Sequence, residues 1–472
     1  MNGIVACGAY LPYFRLERKA IADALGVPAG SGTRAVASYD EDTTSMAVEA
    51  ARAALRAAPG ARPDALYFAT TAPAYLDKTN ATAIHAALAL EPGVLATDMA
   101  GSVRSAAGAL RAALHAPAPV LIAMSDVRTG LPTGGDERDG GDGAVAFILG
   151  PGDAGAPVLA APVASASATA EFLERWRVPG ANASRQWEER FGEHAYVPLG
   201  EQALVEALKQ AGVTSQSINH LVVAGPHGRA CKRVEAGAGV AKTAIADDLS
   251  ASVGNTGAAH AGLMLADVLG RANADDLIAV VSLADGFDVT IWKATRALAT
   301  RRPTPSVAEQ AASAGRVSYA SFLTWRGFLD REPPRRPDPE RPAAPPSFRA
   351  DAWKFAFVGT RCEACGARHL PPQRVCVKCH AVDRMTQERL ADVPATIATF
   401  TVDRLAYSLS PPVVAAVIDF EGGGRFQCEL TDVDPKAVAI GQRVEMTFRR
   451  LFTAGSVHNY FWKARPVRGG NG

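Results

Sequence analysis

Gly254-Asn255-Thr256-Gly257 opens a helical run from Thr256 to Ala272, which leads through a short polar turn into Leu277-Ile278-Ala279-Val280-Val281-Ser282. A strand with no polar alternation is buried on both faces, as in a sheet covered by helices on each side. The same order occurs earlier, where the run Ser102–His115 precedes the strand Pro119–Met124. A second pair repeats as well: helix Thr43–Arg56 before strand Ala65–Ala69, and helix Glu201–Gln210 before strand His220–Ala224. The copies stand about 155 residues apart, so residues 1–300 are expected to hold two α/β halves, about 1–160 and 161–300.

Beyond residue 300 the composition changes. Between Glu332 and Pro346 seven prolines stand among alternating charges, a density that excludes helix and central strand. Residues 301–350 therefore read as a helix and a Pro-rich linker. Cys362-Glu363-Ala364-Cys365 and Cys376-Val377-Lys378-Cys379 follow as two CxxC knuckles ten residues apart. That spacing presents Cys362, Cys365, Cys376 and Cys379 tetrahedrally to a zinc ion and predicts a zinc ribbon over 351–392. Four protein ligands leave no position for substrate, so the zinc would be structural; the other reading is a ribbon whose cysteines hold no metal. His369 and His380 are not needed as ligands, and Cys428 reads as a small buried residue. Over 393–472 five strand candidates, Ala395–Thr401, Val413–Phe420, Gly424–Leu430, Arg443–Phe448 and Val457–Trp462, suggest a small OB barrel.

Composition narrows the function. With 49 Lys+Arg against 48 Asp+Glu, the formal charge of +1 argues against a chain devoted to nucleic acid or an anionic membrane. OB barrels also bind single strands, but these strands offer few stacking aromatics. Asp403, Asp419, Glu421, Glu429, Asp432 and Asp434 interrupt any basic track. Met1–Leu11 lacks a signal-peptide pattern, no long apolar stretch reads as a membrane span, and 7 cysteines are few for 472 residues. A cytoplasmic protein is expected.

Four strings in the first region carry a resemblance: Gly3-Ile4-Val5-Ala6-Cys7-Gly8-Ala9-Tyr10-Leu11-Pro12, Tyr39-Asp40-Glu41-Asp42-Thr43-Thr44-Ser45-Met46-Ala47, Gly140-Gly141-Asp142-Gly143-Ala144-Val145-Ala146, and Gly254-Asn255-Thr256-Gly257. In this order they resemble the hydroxymethylglutaryl-CoA synthase and initiating ketoacyl synthase branch of the thiolase superfamily. The resemblance implies a duplicated five-layered α/β core, a homodimer, and acyl-CoA substrates handled at a carbon next to the thioester. The ribbon and barrel, preceded by the helix-like Tyr319–Gly327, look like the acyl-CoA-associated accessory domain that pairs with thiolase-like enzymes, here fused to one.

The chemistry departs from that family. Its cysteine nucleophile falls on Val103, in Asp98-Met99-Ala100-Gly101-Ser102-Val103, and valine forms no acyl enzyme. A one-residue shift would place Ser102 there, without an identified base. The family's histidine falls on Ala224, with His227 three positions on, either in the cavity or serving loop hydrogen bonds. Its glutamate has no counterpart in Thr70–Tyr75. Asn255 matches the family's asparagine, an uncharged donor for a thioester oxygen, although an Asn-Thr helix cap needs the same residues. His260 reads as packed. Loss of the cysteine with the pocket motifs retained favours an aldol or retro-aldol reaction on a CoA ester, which needs a base and an enolate donor but no acyl enzyme. Two alternatives stay open: Claisen-type condensation, and a catalytically silent scaffold or channelling subunit for a partner enzyme.

Overall fold

The computed structural model describes residues 2–468, so residues 469–472, the end of the segment assigned to the barrel, lie outside it. The first half runs β1 (Gly3–Tyr10), α1 (Thr43–Ala57), β2 (Ala65–Thr70), β3 (Leu95–Ala100), α2 (Arg104–Leu114), β4 (Val120–Asp126) and β5 (Gly143–Gly150). The second runs β6 (Ala160–Thr169), α3 (Glu189–Ala211), β7 (His220–Ala224), α4 (Gly228–Gly237), α5 (His260–Leu269), β8 (Leu277–Leu283) and β9 (Gly286–Ala294). Their strands form two half-sheets, β3-β2-β4-β5-β1 and β6-β9-β8-β7, joined edge to edge where Ile4 faces Ala160.

Each half covers both faces of its sheet. α1 lies on β1, β4 and β5; α2 and α5 fill the space between the half-sheets; α3 and α4 cover the far side of the second. The result is the five-layered helix–sheet–helix–sheet–helix stack expected of a duplicated thiolase fold. α1 begins with a capping box, Asp42 accepting from the Ser45 amide and Ser45 Oγ accepting from the Asp42 amide. It sits so close to β1 that a Cβ at Gly8 would lie 2.3 Å from the Ala50 carbonyl oxygen, which is why glycine stands there. α3 is longer than the segment Glu201–Gln210 read from periodicity. It begins at Glu189 and carries Pro198 inside it.

Past the second half, α6 (Tyr319–Trp325) packs on the N-terminal segment through Phe322 and Tyr319. Residues 331–343 form neither helix nor strand, but Ala344–Arg349 is a short helix within the Pro-rich stretch. Its prolines occupy the first turn, where a missing amide N–H breaks no helical hydrogen bond. The ribbon follows as β10 (Val358–Cys362), β11 (Arg368–His369) and β12 (Met385–Arg389). The closed barrel is built from β13 (Ala395–Asp403), β14 (Val413–Phe420), β15 (Arg425–Leu430), β16 (Arg443–Ala454) and β17 (Val457–Pro466), in the order β13-β14-β15-β17-β16. On β14 buried and half-buried residues alternate, the period of a strand with one face in the barrel interior.

The barrel docks on α1 and the segment before it. One apolar cluster runs from Met46, Ala47 and Ala50 to Met446, Phe448 and Trp462. Around it stands a buried charge network. Arg449 lies 2.9 Å from Glu41 and 2.6 Å from Asp432, Arg465 lies 3.0 Å from Glu49, and the Tyr460 hydroxyl donates to Asp42 at 2.7 Å. Arg52 returns the contact, donating to the carbonyls of Met446 and Ala391. Against their burial, Lys463 and Arg449 hold the Asp40 carboxyl below the usual range, and Arg52 and Arg465 hold Glu49 at about 2.

Candidate functional site

At the C-terminal ends of β4 and β7 the two halves enclose a cavity of about 600 Å³, whose lining includes Glu174, His227, Cys231, Asn255 and His260. A smaller cavity of about 90 Å³ adjoins it, lined by Ser102, Val103, Arg175, Arg177 and Tyr196 among others, and Arg128 and Pro226 line both.

The loop that opens α5 carries Asn255 into the larger cavity. Its amide nitrogen donates to the Gly225 carbonyl at 2.6 Å, and its amide oxygen accepts from the Gly257 N–H at 2.9 Å. Asn255 therefore ties the loop after β7 to its own turn, and one N–H of its amide is left for a ligand. Beneath it lies Asp126, fully buried at the end of β4, which accepts from the Ala258 N–H at 2.8 Å and from the Thr71 N–H at 2.7 Å. Asp142, in the glycine-rich string Gly140–Ala146, accepts from the N–H groups of Ala37 and Arg128 and pairs with Arg34 and Arg326. Both acids hold loops in place, and neither lines either of these two cavities.

His227 caps α4. Its Nδ1 accepts from the Ala230 N–H at 3.1 Å and its Nε2 lies 2.9 Å from the Glu189 carbonyl oxygen, a pairing that fixes the neutral Nε2–H tautomer. Both ring nitrogens are engaged by backbone, so the histidine that the sequence offers for the reacting centre is held as a loop fastener in this conformation. His260 also lines the cavity. Burial lowers it to about 4, and it is a neutral imidazole.

Glu174 is the residue the sequence did not reveal. It is 3% exposed, its Oε2 has no hydrogen-bond partner among the described residues, and burial raises its pKa, with the Arg175 guanidinium opposing. Gly192 packs against both side chains: a Cβ there would lie 2.6 Å from the His227 ring and 2.9 Å from Glu174 Cγ. A buried carboxyl with a free oxygen in a cavity has the character of a proton-transfer group. It sits in an aperiodic stretch outside every motif.

Val103 stands at the start of α2 and lines the smaller cavity, and Ala224 ends β7 in the larger one. No side chain among the described residues is hydrogen-bonded to the Ser102 hydroxyl. The Cys231 thiol, although in the cavity, is pushed up to about 12 by burial, with Glu235 adding to it; a protonated thiol is a poor nucleophile. The lining of the larger cavity mixes charges of both signs: Arg138 pairs with Asp139, Arg229 with Glu189, and Lys232 with Glu235 and Asp248.

In the ribbon the four predicted ligands converge. The Sγ atoms of Cys362, Cys365, Cys376 and Cys379 all lie within 4.8 Å of one another, and the N–H groups of Lys378 and Cys379 point at Cys376 Sγ at 3.4 Å. Four sulfurs so spaced, with backbone donors on one of them, fit a tetrahedral zinc ion. Among the described residues no helix is long and apolar enough to cross a membrane.

Residues 355–383 match the rubredoxin-like zinc ribbon domain of ChsH2, and residues 388–449 match the C-terminal OB-fold domain of ChsH2. The hydroxymethylglutaryl-CoA synthase of Aeropyrum pernix is 29% identical over 298 residues, covering 60% of this chain and 82% of that protein. A DUF35 domain-containing scaffold protein of Methanocaldococcus jannaschii is 29% identical over 126 residues, 26% of this chain and 89% of the relative. Among solved structures, MvaS in complex with 3-hydroxy-3-methylglutaryl coenzyme A shares the fold with a TM-score of 0.59 at 19% identity, over 72% of this chain and 94% of that one. The chain is thus similar to hydroxymethylglutaryl-CoA synthases over most of its length, shares the fold of the solved ones, and carries in the same polypeptide segments that match the ChsH2 zinc ribbon and OB-fold domains.

Proposed function

We propose that this chain binds a CoA ester in the larger cavity and forms a carbon–carbon bond beside the thioester without passing through an acyl enzyme. The observation that carries the reading is the presence, in one cavity, of the buried Glu174 carboxyl and the Asn255 amide, while Val103 stands at the start of α2. The sequence alone favours aldol or retro-aldol chemistry; relatives named as synthases support condensation over cleavage.

In this mechanism the Glu174 carboxylate takes a proton from the carbon next to the thioester. The free N–H of Asn255 donates to the thioester oxygen as enolate charge develops there. The carbon then adds to an acceptor carbonyl. If the acceptor is a ketone, its oxygen takes up a proton and a hydroxyacyl-CoA remains. If it is a thioester, the carbonyl re-forms and CoA leaves as the thiol, the Claisen outcome. Neither route places an acyl group on the protein. The ribbon's four thiolates hold one structural zinc, and the thiolase-like region pairs with a second copy.

Incubation with acetyl-CoA and a 3-oxoacyl-CoA, followed by mass spectrometry and thiol titration, tests this. A longer CoA ester supports it; its absence with every acceptor, while CoA esters still bind, overturns it. A second reading, a scaffold or channelling subunit for a partner enzyme, would then take its place. It is favoured by Val103 and Ala224 and by the similarity of the C-terminal quarter to a scaffold protein.

A further inference from the structure

We propose that the small cavity beside Val103 is a carboxylate-binding niche, so that one substrate of this site is a short carbonyl compound bearing a carboxylate. Three guanidinium groups converge on it. Arg128 is nine-tenths buried; among the described residues its side chain makes a single hydrogen bond, from Nη1 to Thr71 Oγ1 at 3.3 Å. Arg177 donates to the Thr71 carbonyl, and neither it nor Arg128 is paired with a carboxylate among the described residues. Arg175 is paired with Asp136, but its buried Nη1 has no partner among the described residues.

The niche adds two further donors. Val103 caps α2 without any side-chain bond to the first-turn amides, which leaves the positive end of an 11-residue helix facing the space lined by Gly101, Ser102 and Val103. Tyr196, whose phenol is kept protonated by burial, also lines it. One acid, Asp285, lines the niche; burial raises its pKa, and the Arg104 guanidinium opposes that. Three cations against one acid, in a space of about 90 Å³, suit a small planar anion held by forked donors.

Position explains why the anion is a substrate carboxylate. The niche lies at the former nucleophile, the reacting end of the site, and Arg128 and Pro226 join it to the cavity holding Asn255 and Glu174. A carboxylate seated there would place the adjoining carbons toward those two groups. This assignment rests on the acyl-CoA reading above only for the second arm of the substrate; the carboxylate could be carried by the acyl chain of a CoA ester or by a free oxo acid.

The test compares succinyl-CoA with butyryl-CoA, equal in chain length, by calorimetric titration of the full chain. The expected result is a preference of about tenfold or more for succinyl-CoA, falling to near unity in Arg177→Leu and in Val103→Glu, with folding checked by circular dichroism. Equal affinities in the wild type overturn the niche and leave the CoA-ester reading standing. If neither ester binds but 2-oxoglutarate or pyruvate does, and Arg177→Leu abolishes it, the niche stands with a free acid as its ligand and the CoA-ester reading falls. Binding by none of the four compounds overturns both.

Discussion

Lys463, on the last strand of the barrel, places its ammonium 3.0 Å from the carboxylate of Asp40 in the thiolase-like region, and both side chains are shut away from water. Two charges so deeply buried are stable only as a set. Lys463→Met should therefore leave Asp40 with Arg449, 3.4 Å away, as its remaining cation and lower stability by about 3 kcal/mol. Urea denaturation read by barrel tryptophan fluorescence and by far-ultraviolet dichroism should show one shared transition moving to lower urea; a loss below 1 kcal/mol would place the pair among inconsequential contacts.

Glu49 makes the same interface sensitive to acid. Burial alone would raise it, but Arg52 and Arg465 hold it at about 2, below the ordinary 4.5. A folded-state value below the unfolded one stabilises the native protein above the unfolded value, and that stabilisation is lost as pH falls through the folded one. The contribution, about 3 kcal/mol at neutral pH, should fade between pH 4.5 and 2. In thermal melts, the gap between wild type and Glu49→Gln should be widest near pH 6 and shrink below pH 4.5; a gap independent of pH would contradict the assignment.

Metal analysis should find about one zinc per chain. Cys362→Ala should lose it and unfold the ribbon, because a structural zinc contributes folding free energy directly. Protein purified with all four thiols free and no metal would contradict this.

Glu174→Gln keeps the shape of the side chain and removes its proton chemistry. If Glu174 is the base, turnover should fall by about a hundredfold or more with CoA-ester affinity little changed. Asn255→Ala should also cost about a hundredfold in turnover, whereas a pure cap role would cost about 1 kcal/mol of stability and leave activity per folded molecule intact. Measuring melting temperature and rate on both variants separates the two roles.

Intact-mass measurement after incubation with acyl-CoA should show no adduct on the wild-type chain, because position 103 is valine. Val103→Cys would put a thiol at the start of α2 beside three arginines, where its pKa should fall and iodoacetamide should label it readily. An adduct on wild-type Ser102 or Cys231 would contradict the proposal.

The sequence discloses the two half-sheets because their strands are apolar at successive positions and their helices repeat in order. It discloses the ribbon because CxxC spacing is short-range. What it hides is long-range. Asp40, Glu41 and Asp42 read as part of a motif of the first region, yet their buried partners Arg449, Lys463 and Tyr460 stand at the other end of the chain. Periodicity gives no sign of that pairing. Glu174 was hidden for another reason: an isolated acid in an aperiodic stretch carries no local signature, and only burial without a partner sets it apart. His227 was legible as a loop histidine, but which backbone groups fasten its two nitrogens depends on where α3 begins. The short helix at Ala344–Arg349 escaped because proline counts against helix everywhere except in its first turn.

The docking of the barrel on α1 bears on how the protein is made. Chains leave the ribosome from the N-terminus, and domains usually fold as they emerge. Here the acids at 40–42 and 49 have to wait, hydrated and uncovered, until β17 at Val457–Pro466 has been synthesised and released. The first region can form its sheets during translation, but its outer layer is sealed only once β17 has emerged, so a message truncated anywhere before that strand yields a product with an exposed acidic and apolar face, marked for chaperones or proteolysis.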